Sequence, residues 1–173
     1  MPASVDHETA AAQRDQIDDI EELRHSFRPD DVRVLFVGES APAGGAFFYK
    51  GYGGVYSEFR RAIAPHLGAE NDFLPAFKGK GLFLDDLILE PVNYLTHSQR
   101  RTHREANVGS LATRIAKYNP TLIISFMLGI VPYIDRSITA SGKKIPHYAV
   151  PFPGNGQQLK FRDAMLKLLP LII

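Results

Sequence analysis

Residues 32–37, Val-Arg-Val-Leu-Phe-Val, run directly into Gly38-Glu39-Ser40-Ala41-Pro42, and this junction decides the fold. A short valine-rich apolar run has the length and branching of a buried strand. Glycine at its end lets the backbone turn sharply and come close to a ligand. The following loop is glycine-rich as far as Gly54 and holds three consecutive aromatics, Phe47, Phe48 and Tyr49.

Outward from this junction, helical and strand patterns alternate. Residues 1–27 read as a helix, with Ile17, Ile20, Leu23 and Phe27 near the helical period, broken by Arg28-Pro29-Asp30-Asp31. Beyond the loop, Val55, Phe59, Ile63 and Leu67 share one helical face. Residues 82–89 (LFLDDLIL) form a second buried strand, and Glu90-Pro91-Val92-Asn93 opens a loop in or beside which Arg100–Arg104 lies. A third helix covers about 104–118, with Val108, Leu111, Ala112 and Ile115 as its stripe, and closes at Asn119-Pro120. Residues 121–126 (TLIISF) are a third strand, a helix follows from about Val131, and 145–150 (IPHYAV) are a fourth strand. Residues 151–156 turn the chain into a last amphipathic helix over 157–169.

Strands alternating with helices imply crossover connections and a mostly parallel sheet. The expected fold is α/β, a three-layer αβα sandwich around a central, mostly parallel four-stranded sheet. Residues 1–30 are expected as an N-terminal helix packed on a domain of 31–173. In such folds the ligand crevice lies outside the carboxyl ends of the strands. Segments 38–49, 85–93, 125–129 and 151–157 all fall at such ends.

Composition narrows the chemistry. The chain is 45% hydrophobic and 23% charged, which is globular rather than disordered. Cysteine is absent, which excludes disulfides, thiolate catalysis, cysteine-ligated zinc and iron–sulfur clusters. No apolar run approaches the length of about 18 residues that a membrane span needs. The N-terminal segment has no apolar core of the signal-peptide kind, so a cytoplasmic location is expected. The net charge of +1 makes no case for a polyanionic partner of the whole chain. Basic residues at Arg60–Arg61, Lys78–Lys80, Arg100–Arg104 and Lys143–Lys144 read either as solvated surface or as a face for a phosphate backbone.

Glu39, just past Gly38, is placed to face the crevice, where a carboxylate can orient or deprotonate water. The alternative is a loop glutamate paired with an arginine. Ser40 lacks the G-x-S-x-G elbow of a serine nucleophile. Neighbouring side chains in an extended segment point opposite ways, so at least one of Phe47, Phe48 and Tyr49 is expected to face the crevice as a stacking platform. Alternatively the three anchor the loop in the core.

Asp85 and Asp86 lie in the second strand run, so one of them points toward the site and needs a partner; Asn93 follows in the next loop. Pro151-Phe152-Pro153-Gly154-Asn155-Gly156-Gln157 leads into the last helix, whose backbone amides suit a phosphate. Asn155 and Gln157 are candidates to bond a base or a phosphate there, unless the segment is turn punctuation alone. His147 reads as a satisfied core histidine rather than a catalyst. No spacing suggests a metal cage, and no cofactor is expected.

Together these segments resemble the uracil-DNA glycosylase superfamily over about residues 32–169. A strand leading into Gly38-Glu39-Ser40-Ala41-Pro42 is similar to that superfamily's motif A, and Phe48 matches the aromatic that stacks on a flipped base, with Phe47 and Tyr49 adjacent. LFLDDLILEPVN is similar to the middle strand, with Asp85 or Asp86 where the base-reading Asn would lie. Asn119-Pro120-Thr-Leu-Ile-Ile resembles the Pro-x-x-Ile-Ile strand, and Pro151-Phe152-Pro153-Gly154-Asn155 stands where motif B precedes the last helix. The departures are concrete. Proline comes fifth rather than fourth in motif A, Ser40 replaces an Asp or Asn, motif B lacks its histidine, and the four cluster cysteines of one branch are missing.

The resemblance implies a DNA glycosylase-like hydrolase of DNA repair that takes up a flipped uracil or other deaminated base. Its partner would be DNA, damaged or single-stranded, with no membrane and no metal cluster involved. Glu39 would position the attacking water. Gly38, Ser40, Phe48, Tyr49, Asp85, Asp86, Asn93, Pro153, Gly154 and Asn155 would hold the base and its backbone. The alternatives are an inactive nucleobase- or nucleic-acid-binding module of the same fold, and a hydrolase acting on a small nucleotide-like substrate.

Overall fold

The computed structural model describes residues 5–68 and 71–173. Its order is helix α1 (Val5–Ser26), strand β1 (Val34–Gly38), a 3₁₀ turn (Phe48–Lys50), α2 (Gly54–Leu67), α3 (Phe73–Gly79), β2 (Leu82–Asp86), α4 (His97–Tyr118), β3 (Leu122–Ser125), a 3₁₀ turn (Leu128–Ile130), α5 (Val131–Ala140), β4 (His147–Ala149) and α6 (Gln158–Ile172). Residues 1–4 of the expected first helix lie outside the described residues.

The four strands form one all-parallel sheet in the order β2-β1-β3-β4, the α/β arrangement expected of the alternating pattern. Helices cover both faces. Phe36 of β1 meets Phe59 of α2 and Phe77 of α3, and Phe59 meets Phe161 of α6. On the other face Phe83 of β2 meets Tyr118 of α4. All five residues of β1 and of β2 are buried, because helices lie on both sides of them.

As an edge strand, β2 has backbone groups with no neighbouring strand. Side chains supply the partners. The Tyr49 hydroxyl donates to Leu84 O at 3.0 Å and accepts from Leu84 N at 2.7 Å, while Arg24 Nη1 donates to Leu84 O at 3.3 Å.

Several elements differ from the sequence reading. The strand expected over 82–89 ends at Asp86, and Leu87 and Ile88 instead donate to the carbonyls of Gly38 and Glu39. Helix α4 begins at His97 rather than near Arg104, because Thr96 and Gln99 form a reciprocal capping box. Arg100 and Arg104 are therefore one helical turn apart on α4, not in a loop. Helix α3 is an element the reading did not contain.

Candidate functional site

At the carboxyl ends of the strands lies a cavity of about 350 Å³. Glu39, Ser40, Ala41 and Pro42 border it after β1, with Phe47 and Phe48 beyond them. Tyr52 to Tyr56 enter from the start of α2, Leu84 and Asp86 from β2, and Arg100 from α4. Asn93, Phe126, Met127, Phe152 and Asn155 complete the lining from three further loops. The wall is thus mostly aromatic and apolar, with a few charged and amide groups, which is the make-up of a small-molecule site.

Gly38, the last residue of β1, does not line the cavity but shapes it. A Cβ there would lie 2.6 Å from Asp86 Oδ1 and 2.6 Å from Phe126 Cζ. Its missing side chain lets the carboxylate and the ring close over the strand end. Gly154 acts similarly for the last loop, since a Cβ would lie 2.8 Å from the Phe152 ring. Asn155 beside it turns the backbone through a positive φ of 52°.

Glu39 is pinned by two arginines. Arg100 bonds both carboxylate oxygens, and Arg104 Nε donates to Oε1 at 2.6 Å. Glu39 therefore combines two of the expected placements, facing the crevice and paired with arginine. A carboxylate offers about four lone-pair positions, so Oε2 retains room for a further donor such as water.

Asp86 and Asp85 share a buried cluster. Arg24 of α1, only 1% exposed, reaches Asp86 Oδ2 at 2.8 Å, Asp85 Oδ1 at 3.4 Å and Glu21 at 3.0 Å. Arg114 of α4 pairs with Asp85 Oδ2 at 2.5 Å. Burial opposes the charge on Arg24, but Asp86, Asp85 and Glu21 outweigh it and raise its pKa. Burial raises the Asp86 pKa above the ordinary carboxylate value, with the Arg24 ion pair pulling the other way.

The aromatic run combines the two expected placements, since Phe47 and Phe48 line the cavity while all three rings anchor the loop. Phe47, Phe48 and Tyr49 are all buried, at 4%, 4% and 3% exposure, so none projects as a free platform. The segment coils into a 3₁₀ turn instead of extending, and strict alternation of side chains is lost. Phe48 packs edge-on against Tyr49, Tyr56, Phe59 and Phe73 and still forms part of the cavity wall. Tyr49 lies outside the lining, stacked on Phe27 with its hydroxyl spent on Leu84.

Of the other residues singled out, Ser40, Asp86, Asn93 and Asn155 line the cavity, whereas Asp85, Pro153 and Gly154 do not. Asn93 Oδ1 accepts from Ala43 N at 3.1 Å, so it braces the first loop. The sequence gives no role to Arg24 or Phe126, and it marks Arg100 only as part of a basic face and Phe152 only as part of the last turn. The Thr96-x-x-Gln99 box would have extended α4 and exposed the Arg100/Arg104 spacing; nothing local marked Arg24.

Among the described residues no histidine lines the cavity, and no cluster of histidine and carboxylates is arranged to hold a metal ion. No described helix is long and apolar enough to cross a membrane. His147 lies apart from the cavity, with Nε2 2.8 Å from Ser125 Oγ and Nδ1 2.7 Å from Asp135 Oδ1. Fold and site together define an α/β protein with an aromatic-walled cavity at the strand ends. No protein-family model and no curated protein matches the chain.

Proposed function

We propose that this protein is a DNA glycosylase-like hydrolase that takes a flipped damaged or deaminated nucleobase into the cavity and hydrolyses its N-glycosidic bond. One observation carries the reading: Phe48, Phe126 and Phe152 wall a cavity of about 350 Å³ whose rim holds the Glu39 carboxylate. Flat apolar walls accept a heterocycle, and unstacking a base costs a few kcal/mol that such contacts offset. Arg100 and Arg104 fix the Glu39 carboxylate, whose remaining lone pairs orient a water toward the sugar carbon.

The motif order from Gly38 to Asn155 supports the same reading. Single-stranded oligonucleotides carrying uracil, hypoxanthine or xanthine, scored by alkaline strand cleavage, test it. Abasic sites form with at least one of them, and Glu39→Gln removes most of the rate. Absence of abasic sites across the panel at high protein concentration excludes hydrolysis.

A second reading, a module that binds nucleobases or nucleic acid without cleaving, is favoured by two features. Both oxygens of Glu39 already bond arginines, and among the described residues no histidine faces the cavity to stabilise charge on a leaving base. Salt-dependent DNA binding without base release distinguishes it.

A further inference from the structure

The buried cluster behind the cavity, which reaches it at Asp86, holds more negative than positive charge. Among the described residues Glu21, Asp85 and Asp86 share two arginines, Arg24 and Arg114. Asp85 takes both arginines, and Arg24 is divided among all three acids. Asp86 gives Oδ2 to Arg24, while Oδ1 lies against Gly38 and the edge of the Phe126 ring with no donor on it among the described residues. The side chain is 6% exposed and lines the cavity, so this oxygen is reachable only from inside.

Facing the cavity without a protein donor, this acceptor takes its hydrogen bond from whatever occupies the cavity. The Glu39 side carries the opposite excess, because Arg100 and Arg104 face a single carboxylate and Arg100 lines the cavity. The cavity is therefore acidic at Asp86 and basic at Arg100.

Resting on the reading of this cavity as a base site, we infer that it selects an amino–oxo heterocycle over a dioxo one. The ring places an amino or imino N–H on Asp86 Oδ1 and turns a carbonyl toward Arg100. Rings that keep the amino and oxo groups of cytosine, isocytosine or guanine meet both demands, so within the hydrolase reading the base taken up is a damaged cytosine or guanine. Substituted at N1 as in a nucleoside, uracil and thymine flank their one remaining N–H with two carbonyls, and one of these would be driven against the Asp86 carboxylate. An ionised carboxylate only accepts hydrogen bonds, so it has nothing to offer that carbonyl.

Titration calorimetry of the full chain with the 1-methyl derivatives of isocytosine, cytosine, uracil and thymine at neutral pH tests the inference. The two amino–oxo bases bind at least about tenfold more tightly than the two dioxo bases, the scale of one hydrogen bond to a charged group. Asp86→Asn, which can donate as well as accept, brings the two classes within about twofold of each other. Uracil binding best to the wild-type chain overturns the inference without any variant, and so does failure of all four bases to bind. An unchanged preference in a folded Asp86→Asn protein overturns the role of Asp86.

Base release from oligonucleotides, measured on the same preparation, separates this from the hydrolase reading. Amino–oxo preference without release removes the hydrolase and leaves the recognition standing. Release of uracil with a dioxo preference does the reverse.

Discussion

Arg24 Nη2 sits 2.8 Å from Asp86 Oδ2, so a residue of the N-terminal helix reaches the floor of the cavity built by the sheet. The helix is thereby part of the site's architecture. Its guanidinium also lies 5.1 Å from the centre of the Phe47 ring, another cavity wall.

Removing this guanidinium leaves Asp85 and Asp86 buried with Arg114 as their remaining counter-charge. Breaking a buried pair from one side costs about 3–5 kcal/mol, because the surviving charge is uncompensated. Arg24→Met is expected to lose stability on that scale in urea titration, and Arg24→Met combined with Asp86→Asn to recover part of it. A loss below about 1 kcal/mol, the value of exposed pairs, would show that water enters the cluster.

The raised Asp86 pKa fixes the sign of a pH effect. The folded carboxyl takes up its proton at a higher pH than the unfolded one, so between the two values the native state binds more protons. Stability contributed by this group is present below the ordinary carboxylate pKa and is lost as pH rises through the folded value. The groups around it are Arg24, Asp85 and Glu21. The stability difference between the wild-type chain and Asp86→Asn is expected to shift in favour of Asn as pH rises above about 4. Equilibrium unfolding of both proteins across the acid range checks the sign, and a shift in favour of Asp would contradict it.

Gly38 is held to glycine by what surrounds it. Gly38→Ala puts a methyl 2.6 Å from both Asp86 Oδ1 and the Phe126 ring, and neither neighbour is the loose end of a flexible surface chain. Overpacking of this kind costs about 1–3 kcal/mol. The variant is expected to unfold at lower urea and to bind free bases more weakly, since ring and carboxylate must both move into the cavity.

The contrast between Gly38 and Arg24 shows what was legible in the sequence. Strand alternation and apolar runs are local, and they yielded a parallel sheet and the loops at its carboxyl ends. Glu39, Ser40, Phe48, Asp86, Asn93 and Asn155 were recognisable because they sit in those loops or just before them, and each lines the cavity. Arg24 lies 62 positions before Asp86 in an otherwise acidic helix, and only the packed fold joins them. Tyr49 is illegible for a different reason. The run reads as extended chain, but it coils into a 3₁₀ turn, and the Tyr49 hydroxyl straps β2.

Tyr49 offers a clean separation of support from recognition. Tyr49→Phe leaves Leu84 N and one lone pair of Leu84 O without their 2.7 and 3.0 Å partner at the sheet edge. An unsatisfied buried group costs about 1–3 kcal/mol. Urea unfolding is expected to register that loss, while the order of preference among free bases is unchanged because Tyr49 does not line the cavity. A reordered preference would place its hydroxyl in recognition.

Ser125, His147 and Asp135 have the contacts of a nucleophilic relay, at 2.8 and 2.7 Å, but not its access. A serine nucleophile must meet its substrate, and Ser125 is fully buried in β3, next to the edge strand that carries His147. The hydrogen bonds tie β4 and α5 together, with Asp135 as the solvent-facing end. A fluorophosphonate probe is therefore expected to leave the protein unlabelled, and Ser125→Ala to cost about 1 kcal/mol of stability through one lost hydrogen bond. Stoichiometric labelling at Ser125 would instead require α5 to open, and would make this relay a second reactive centre.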